Sequence, residues 1–128
     1  MIAGKQIPFK VGIVGFSKDE LDTNDKKVIM YQLSISSPMI NWKVKRRYNE
    51  FYDLHDNLSM CFRILPKLPS KTFFAVSTAS QIEKRKQDLE QYVNDLMEVD
   101  YILNNIYFTS FLRFEQFFPE FLCVRPMV

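Results

Sequence analysis

Glycine, cysteine and histidine are scarce in this 128-residue chain, which holds three, two and one of them respectively. Each scarcity excludes a class of function. A phosphate-cradling loop needs several glycines close together so that backbone amides can approach the ligand, and Gly4, Gly12 and Gly15 spell neither a dinucleotide fingerprint nor a P-loop. Cys61 and Cys123 are too few for a disulfide framework and form no zinc motif, a usage that fits a reducing compartment. His55 stands alone, four residues after Phe51 in an apolar helical pattern, where a packed or half-exposed imidazole is the ordinary outcome. Its neighbours Asp53 and Asp56 do not share its helix face. No nucleophile is set beside a base, so the chain reads as a non-enzyme without catalytic residues, metal site or cofactor.

Long apolar runs are missing as well. The charge-free stretches Thr72 to Ile82 and Tyr101 to Leu112 are about half the ~20 apolar residues a spanning helix needs, and polar residues interrupt both. Lys5 and Lys10 interrupt what would have to be the apolar core of a secretory signal, and Ile2 and Arg125 stand where lipidation motifs require Gly and Cys. Any meeting with a membrane is therefore expected to be reversible, from the cytoplasm. A net charge of only +2 gives no whole-molecule field for nucleic acid, which is not an expected partner.

What is abundant is aromatic: 15% of the residues are Phe, Tyr or Trp, within a hydrophobic fraction of 47%, and the length suits one domain with one core. Apolar residues alternate at period two along Ile7, Phe9, Val11, Ile13, along Ile29, Tyr31, Leu33, Ile35, and along Ile40, Trp42, Val44, which predicts three strands. The polar stretch Ser17 to Lys27 is expected to join the first two, and Ser36-Ser37-Pro38 to turn tightly into the third, giving an antiparallel meander. At Tyr48 the period becomes helical, through Phe51, Leu54, Leu58 and Cys61, with Asn49 as a possible N-cap. Pro66 and Pro69 predict an extended segment, and Ser80-Gln-Ile-Glu83 a capping box for a second helix with Ile82, Leu89, Tyr92, Val93 and Leu96 on one face. The aromatic tail from Tyr101 to Phe121 is expected to form short helices against the sheet. The fold class is α+β: a three-stranded antiparallel meander packed against a helical subdomain, with a proline-rich loop between the first two helices.

The charge is unevenly placed. Between Lys43 and Lys71 seven cations face three acids, a local +4, while the rest of the chain is −2. Alternation puts Lys43, Lys45 and Arg47 on the strand face opposite Trp42 and Val44, an arrangement suited to an anion. Tyr48, next in line, could be a core aromatic or a flat surface beside that anion.

These residues carry a resemblance. Arg46-Arg47-Tyr48-Asn49-Glu50-Phe51, then Pro66-x-x-Pro69-x-Lys71, then Arg85-x-x-x-Leu89-x-x-Tyr92 are similar to the three signature elements of the phox-homology (PX) domain, and the likeness runs from about residue 6 to 121 of a single domain spanning 1–128. The resemblance implies a module that binds a phosphoinositide headgroup and a membrane surface, usually phosphatidylinositol 3-phosphate, and is recruited to endosomal or vacuolar membranes. By position, Arg47 would grip the 3-phosphate, Tyr48 would lie against the inositol ring, Lys71 would meet the 1-phosphate and Arg85 would hold the 4- and 5-hydroxyls. A guanidinium offers a planar fork of donors that Lys cannot copy, whereas the 1-phosphate needs only a point charge. The family also implies a membrane-inserting loop, for which Phe73, Phe74 and Val76 are the candidates. Two competing readings attach to the same region: a protein-binding scaffold with a vestigial lipid pocket, and an Src-homology 3 ligand in Arg63-x-x-Pro66-x-x-Pro69.

Overall fold

The computed structural model describes residues 9–20, 27–71 and 78–118. Three strands, β1 (Lys10–Glu20), β2 (Lys27–Ser36) and β3 (Asn41–Arg47), form an antiparallel sheet in the order β1-β2-β3. Helices α1 (Tyr48–Ser59), α2 (Ala79–Leu96) and α3 (Ile106–Phe111) follow, with short 3-10 turns at Ile102–Asn104 and Phe114–Gln116. The architecture is the α+β meander that the periodicity predicts. The alternating residues Val11, Ile13, Tyr31, Leu33, Ile35, Trp42 and Val44 are buried together with Phe51, Leu54, Leu58 and the apolar stripe of α2 in one core.

Four local expectations change. The segment Ser17 to Lys27 is not all connection, because the ladder continues through Lys18 with Ile29, Asp19 with Val28 and Glu20 with Lys27. Its polar side chains make local contacts there: Ser17 Oγ donates to Asp19 Oδ1 at 2.7 Å, and Lys45 Nζ reaches Asp19 Oδ2 at 3.3 Å. Helix α1 starts one residue before Asn49; Arg47 occupies the cap position, and the Glu50 carboxylate accepts its backbone N–H at 2.9 Å. That helix ends at Ser59, so Cys61 falls beyond it and is exposed rather than continuing the apolar face. The capping box of α2 is Thr78 with Gln81, not Ser80 with Glu83: Thr78 Oγ1 accepts from the Gln81 N–H at 3.2 Å, and Gln81 Oε1 from the Thr78 N–H at 3.1 Å. Both pairs fit the same four-residue pattern. The earlier start leaves Glu83 to meet Lys86 at 3.5 Å on the helix surface.

Two features fix α2 against the sheet. The β1–β2 register slips between Ile13 and Gly15, so the backbone of Ile13 is taken up by the helix instead: its N–H donates to Glu90 Oε2 at 2.8 Å, and its carbonyl accepts from Lys86 Nζ at 3.2 Å. Gly12 makes room for this contact, since a Cβ there would stand 3.0 Å from Glu90 Oε2. Arg85 is next to Lys86, so these bonds also set its place. The described part of the tail forms short helical turns with Phe108, Phe111, Leu112 and Phe114 buried and Tyr101, Tyr107 and Phe117 exposed, and Phe121 lies outside the described residues.

Candidate functional site

Consecutive arginines leave β3 in different company. Arg46, on the core side of the strand, donates from Nε to the Phe111 carbonyl at 2.9 Å, from Nη2 to the Ser110 carbonyl at 3.4 Å, and from Nη1 to Glu50 at 3.1 Å. The Ser110 carbonyl also accepts the Arg113 N–H at 3.0 Å, whereas the Phe111 carbonyl has Arg46 as its donor among the described residues, so Arg46 works as a cap for that helix. Trp42 does the same one residue further on, its indole N–H donating to the Leu112 carbonyl at 2.8 Å. Arg47 is half-buried at the junction of β3 and α1 and forms no ion pair among the described residues. Of the cations that alternation places on its face, Lys43 is exposed and Lys45 is engaged by Asp19, which leaves Arg47 as the uncommitted one nearest the helix.

Tyr48 opens α1 and holds two other elements together. Its hydroxyl donates to the Pro69 carbonyl at 2.5 Å, and the Arg85 guanidinium lies over its ring, 4.3 Å from the centroid. Burial pushes the Tyr48 hydroxyl above the usual tyrosine range, against the opposing pull of the Arg85 charge. Tyr48 is thus partly buried against the core while its ring faces the Arg85 guanidinium.

Arg85 is the unusual member. It occupies the slot between Ile82 and Leu89 on the apolar stripe of α2 and is only 8% exposed, yet no carboxylate pairs with it among the described residues. Its partners are the Tyr48 ring and the Ser70 carbonyl, to which Nη2 donates at 3.2 Å. Buried charges are ordinarily paired, because removal from water costs several kcal/mol. A desolvated guanidinium held by a π face and a neutral oxygen is a cation short of its anion.

Lys71 follows Ser70 directly and is exposed, with its ammonium 4.9 Å from the Tyr52 ring centroid. Tyr52 was not singled out by the sequence, although it lies one helical turn after Tyr48 on the same face. The structure therefore brings Tyr48, Arg85 and the Pro69–Ser70 backbone into one contact set, with Lys71 next in the chain after Ser70 and Arg47 next before Tyr48. Phe73, Phe74 and Val76 lie outside the described residues. His55 sits half-buried, and its Nδ1 is 2.8 Å from the Tyr92 hydroxyl. Burial raises that hydroxyl well above the usual tyrosine range, and the tautomer of His55 sets which of the two groups donates. Among the described residues there is no group of three or more metal-ligating side chains, and no helix is long and apolar enough to cross a membrane.

Comparison with known proteins agrees with this arrangement. The family model for the PX domain matches residues 36–115. Sorting nexin-41 of Candida albicans is 37% identical over 63% of this chain, and a probable serine/threonine-protein kinase of Dictyostelium discoideum is 33% identical over 73% of it. The matched chain spans 14% and 5% of those two relatives, so it corresponds to a small part of each. Among solved structures, a designed CISK-PX domain superposes with a TM-score of 0.72 at 33% identity, covering 80% of this chain and 96% of that one. The mouse SNX19 PX domain with bound sulphate ion has the same fold, with a TM-score of 0.68 at 21% identity over 84% of this chain and 97% of the other. With the signature arginines, tyrosine and proline segment assembled on a shared fold, the chain belongs to the PX domain family, whose members are phosphoinositide-binding modules of membrane trafficking.

Proposed function

We propose that this chain binds phosphatidylinositol 3-phosphate and thereby recruits its parent protein, reversibly, from the cytoplasm to endosomal or vacuolar membranes. Arg47 takes the 3-phosphate, Tyr48 lies against the inositol ring, Lys71 meets the 1-phosphate and Arg85 holds the 4- and 5-hydroxyls. The observation that carries this reading is Arg85, buried on the core stripe without a carboxylate partner among the described residues and stacked on Tyr48. An Arg fixed at that depth closes over unmodified hydroxyls and leaves little room for phosphates on them, which is the basis of discrimination. Phe73, Phe74 and Val76 insert into the bilayer; a fully buried Phe contributes ~1.5–3 kcal/mol, and each nearby cation ~1 kcal/mol on an anionic leaflet. Neither contribution alone gives firm recruitment, so the headgroup decides the membrane.

Liposome sedimentation across the mono- and polyphosphorylated phosphoinositides tests the assignment. Preference for the 3-phosphate, lost in Arg47→Ala, is the expected result; equal binding to all members, or binding retained in Arg47→Ala, overturns it. Phe74→Glu should abolish liposome binding while preserving affinity for the soluble headgroup, and loss of both together would make Phe74 a core residue.

A further inference from the structure

Helix α1 separates two clefts of opposite charge. On the flank facing α3, a depression of about 450 Å³ is lined by Glu50 and Asp53 and by no cation among the described residues. On the other flank, a cleft of about 600 Å³ runs between α1 and the proline segment, bordered by Arg63, Lys67 and Lys71 and by no carboxylate among the described residues. All three cations are exposed and none forms an ion pair among the described residues. Phe62, Leu65 and Leu68 add apolar lining between them. Arg47 and Arg85 do not line this cleft, so it is a different place from the headgroup site, sharing with it only Tyr48 and Lys71.

The dimensions select the occupant. The helical wall from Tyr48 to Ser59 is ~17 Å long at 1.5 Å per residue. The facing wall is free of helix and strand; it bends at Arg63 and Ile64 and then runs without a bend to Lys71, so that Lys67 and Lys71, four residues apart in an extended segment rising ~3.1 Å per residue, stand ~12 Å from one another. A lone phosphate can satisfy one of them. An extended peptide advances ~3.3 Å per residue with side chains on alternate faces, so carboxylates on one face can reach successive cations while apolar side chains on the other meet the lining.

We propose that the cleft between α1 and the proline segment is a docking site for an extended acidic protein segment bearing apolar side chains between its carboxylates. The opposite sign across α1 rejects the same segment from the neighbouring cleft. Because Lys71 borders this cleft and rests on Tyr52, the segment also contends for a cation assigned to the lipid.

The test is a titration of the isotope-labelled 128-residue chain with the peptide Asp-Leu-Glu-Phe-Asp, followed by amide chemical shifts, beside its amide counterpart Asn-Leu-Gln-Phe-Asn. The acidic peptide is expected to move amides of α1 and of residues 62–71 and to bind at least tenfold more tightly than the counterpart. Arg63→Glu with Lys67→Glu should weaken it at least tenfold and leave affinity for soluble inositol 1,3-bisphosphate unchanged. Amide dispersion checks the fold of that variant, and the milder Arg63→Gln with Lys67→Gln should lose affinity in the same direction. Equal binding of the two peptides, shifts confined to Arg47 and Arg85, or insensitivity to the charge changes overturns the proposal. So does movement of the cleft amides by phosphatidylserine vesicles and not by the peptide, which would make the cleft a membrane contact. Loss of inositol bisphosphate binding with peptide binding intact would count against the lipid reading alone.

Discussion

Arg46 and Arg85 are both largely buried arginines stacked on an aromatic ring, and they do opposite things. Arg46 lies 5.3 Å from the Phe111 centroid, pairs with Glu50 and satisfies two carbonyls at the end of α3. Arg85 lies over Tyr48 and, among the described residues, has a neutral oxygen and no carboxylate as its hydrogen-bond partner. One region has closed its charge ledger and so stabilises the fold; the other leaves a positive charge unanswered and so is suited to a ligand. Number of hydrogen bonds and presence of a counter-ion, rather than burial, separate a structural arginine from a binding one.

The sharpest way to break this contrast is to remove each arginine with a side chain of similar bulk. Arg46→Met strands the Phe111 carbonyl and leaves Glu50 without its guanidinium partner, and should cost about 2 kcal/mol of unfolding free energy in a urea titration. Arg85→Met removes an uncompensated buried cation, so the midpoint of unfolding should hold or rise, while liposome binding falls tenfold or more. If Arg85→Met unfolds the chain and Arg46→Met does not, the two roles are reversed.

Tyrosine ionisation sharpens the same comparison. Burial raises the hydroxyls of Tyr31, Tyr48 and Tyr92 above the ordinary value of 10.0. A group whose pKa is raised by folding lends stability that is complete below its unfolded value and is lost as the pH climbs through the folded one. Stability should therefore decline above about pH 10, and absorbance at about 295 nm should show three of the six tyrosines resisting ionisation until the chain unfolds. Ordinary titration of Tyr48 would mean that the burial of its hydroxyl against the proline segment is open in solution.

Smaller effects follow at the edges of the site. Tyr48→Phe deletes one hydrogen bond to Pro69 and should cost about 1 kcal/mol, with the ring still available to Arg85. Thr78→Ala removes the α2 cap and should cost about 1 kcal/mol by thermal unfolding, with headgroup affinity preserved, because Arg85 lies beyond the first helical turn. A large drop in affinity from Thr78→Ala would show that the start of α2 helps position Arg85.

Much of this was legible in the chain. Period-two alternation identified the three strands because each has one buried face, and the spacing of Leu89, Tyr92, Val93 and Leu96 identified α2 for the corresponding reason. Element ends were less legible. Thr78-x-x-Gln81 and Ser80-x-x-Glu83 are equivalent as patterns, and only the folded helix chooses between them. The polar run after Ser17 resembled a loop because strand pairing uses backbone groups and says nothing about side-chain polarity at an exposed strand end. Arg85 carried a signal in its place, three residues after Ile82 and four before Leu89, which is a core position for a charged residue. Tyr52 carried none beyond its turn of separation from Tyr48, since its contact is with Lys71, nineteen residues away in the chain.

By itself, the sequence determined the order of the elements, the buried faces and the family, because these depend on local periodicity and short-range motifs. Tertiary structure alone decided which cations are spent and which are free. Arg46 and Arg47 are adjacent and chemically identical, and what distinguishes them is whether the carbonyls of α3, more than sixty residues away, fall within reach of the guanidinium. Coulomb and hydrogen-bond energies depend on distances in space, and separation along the chain does not encode those distances.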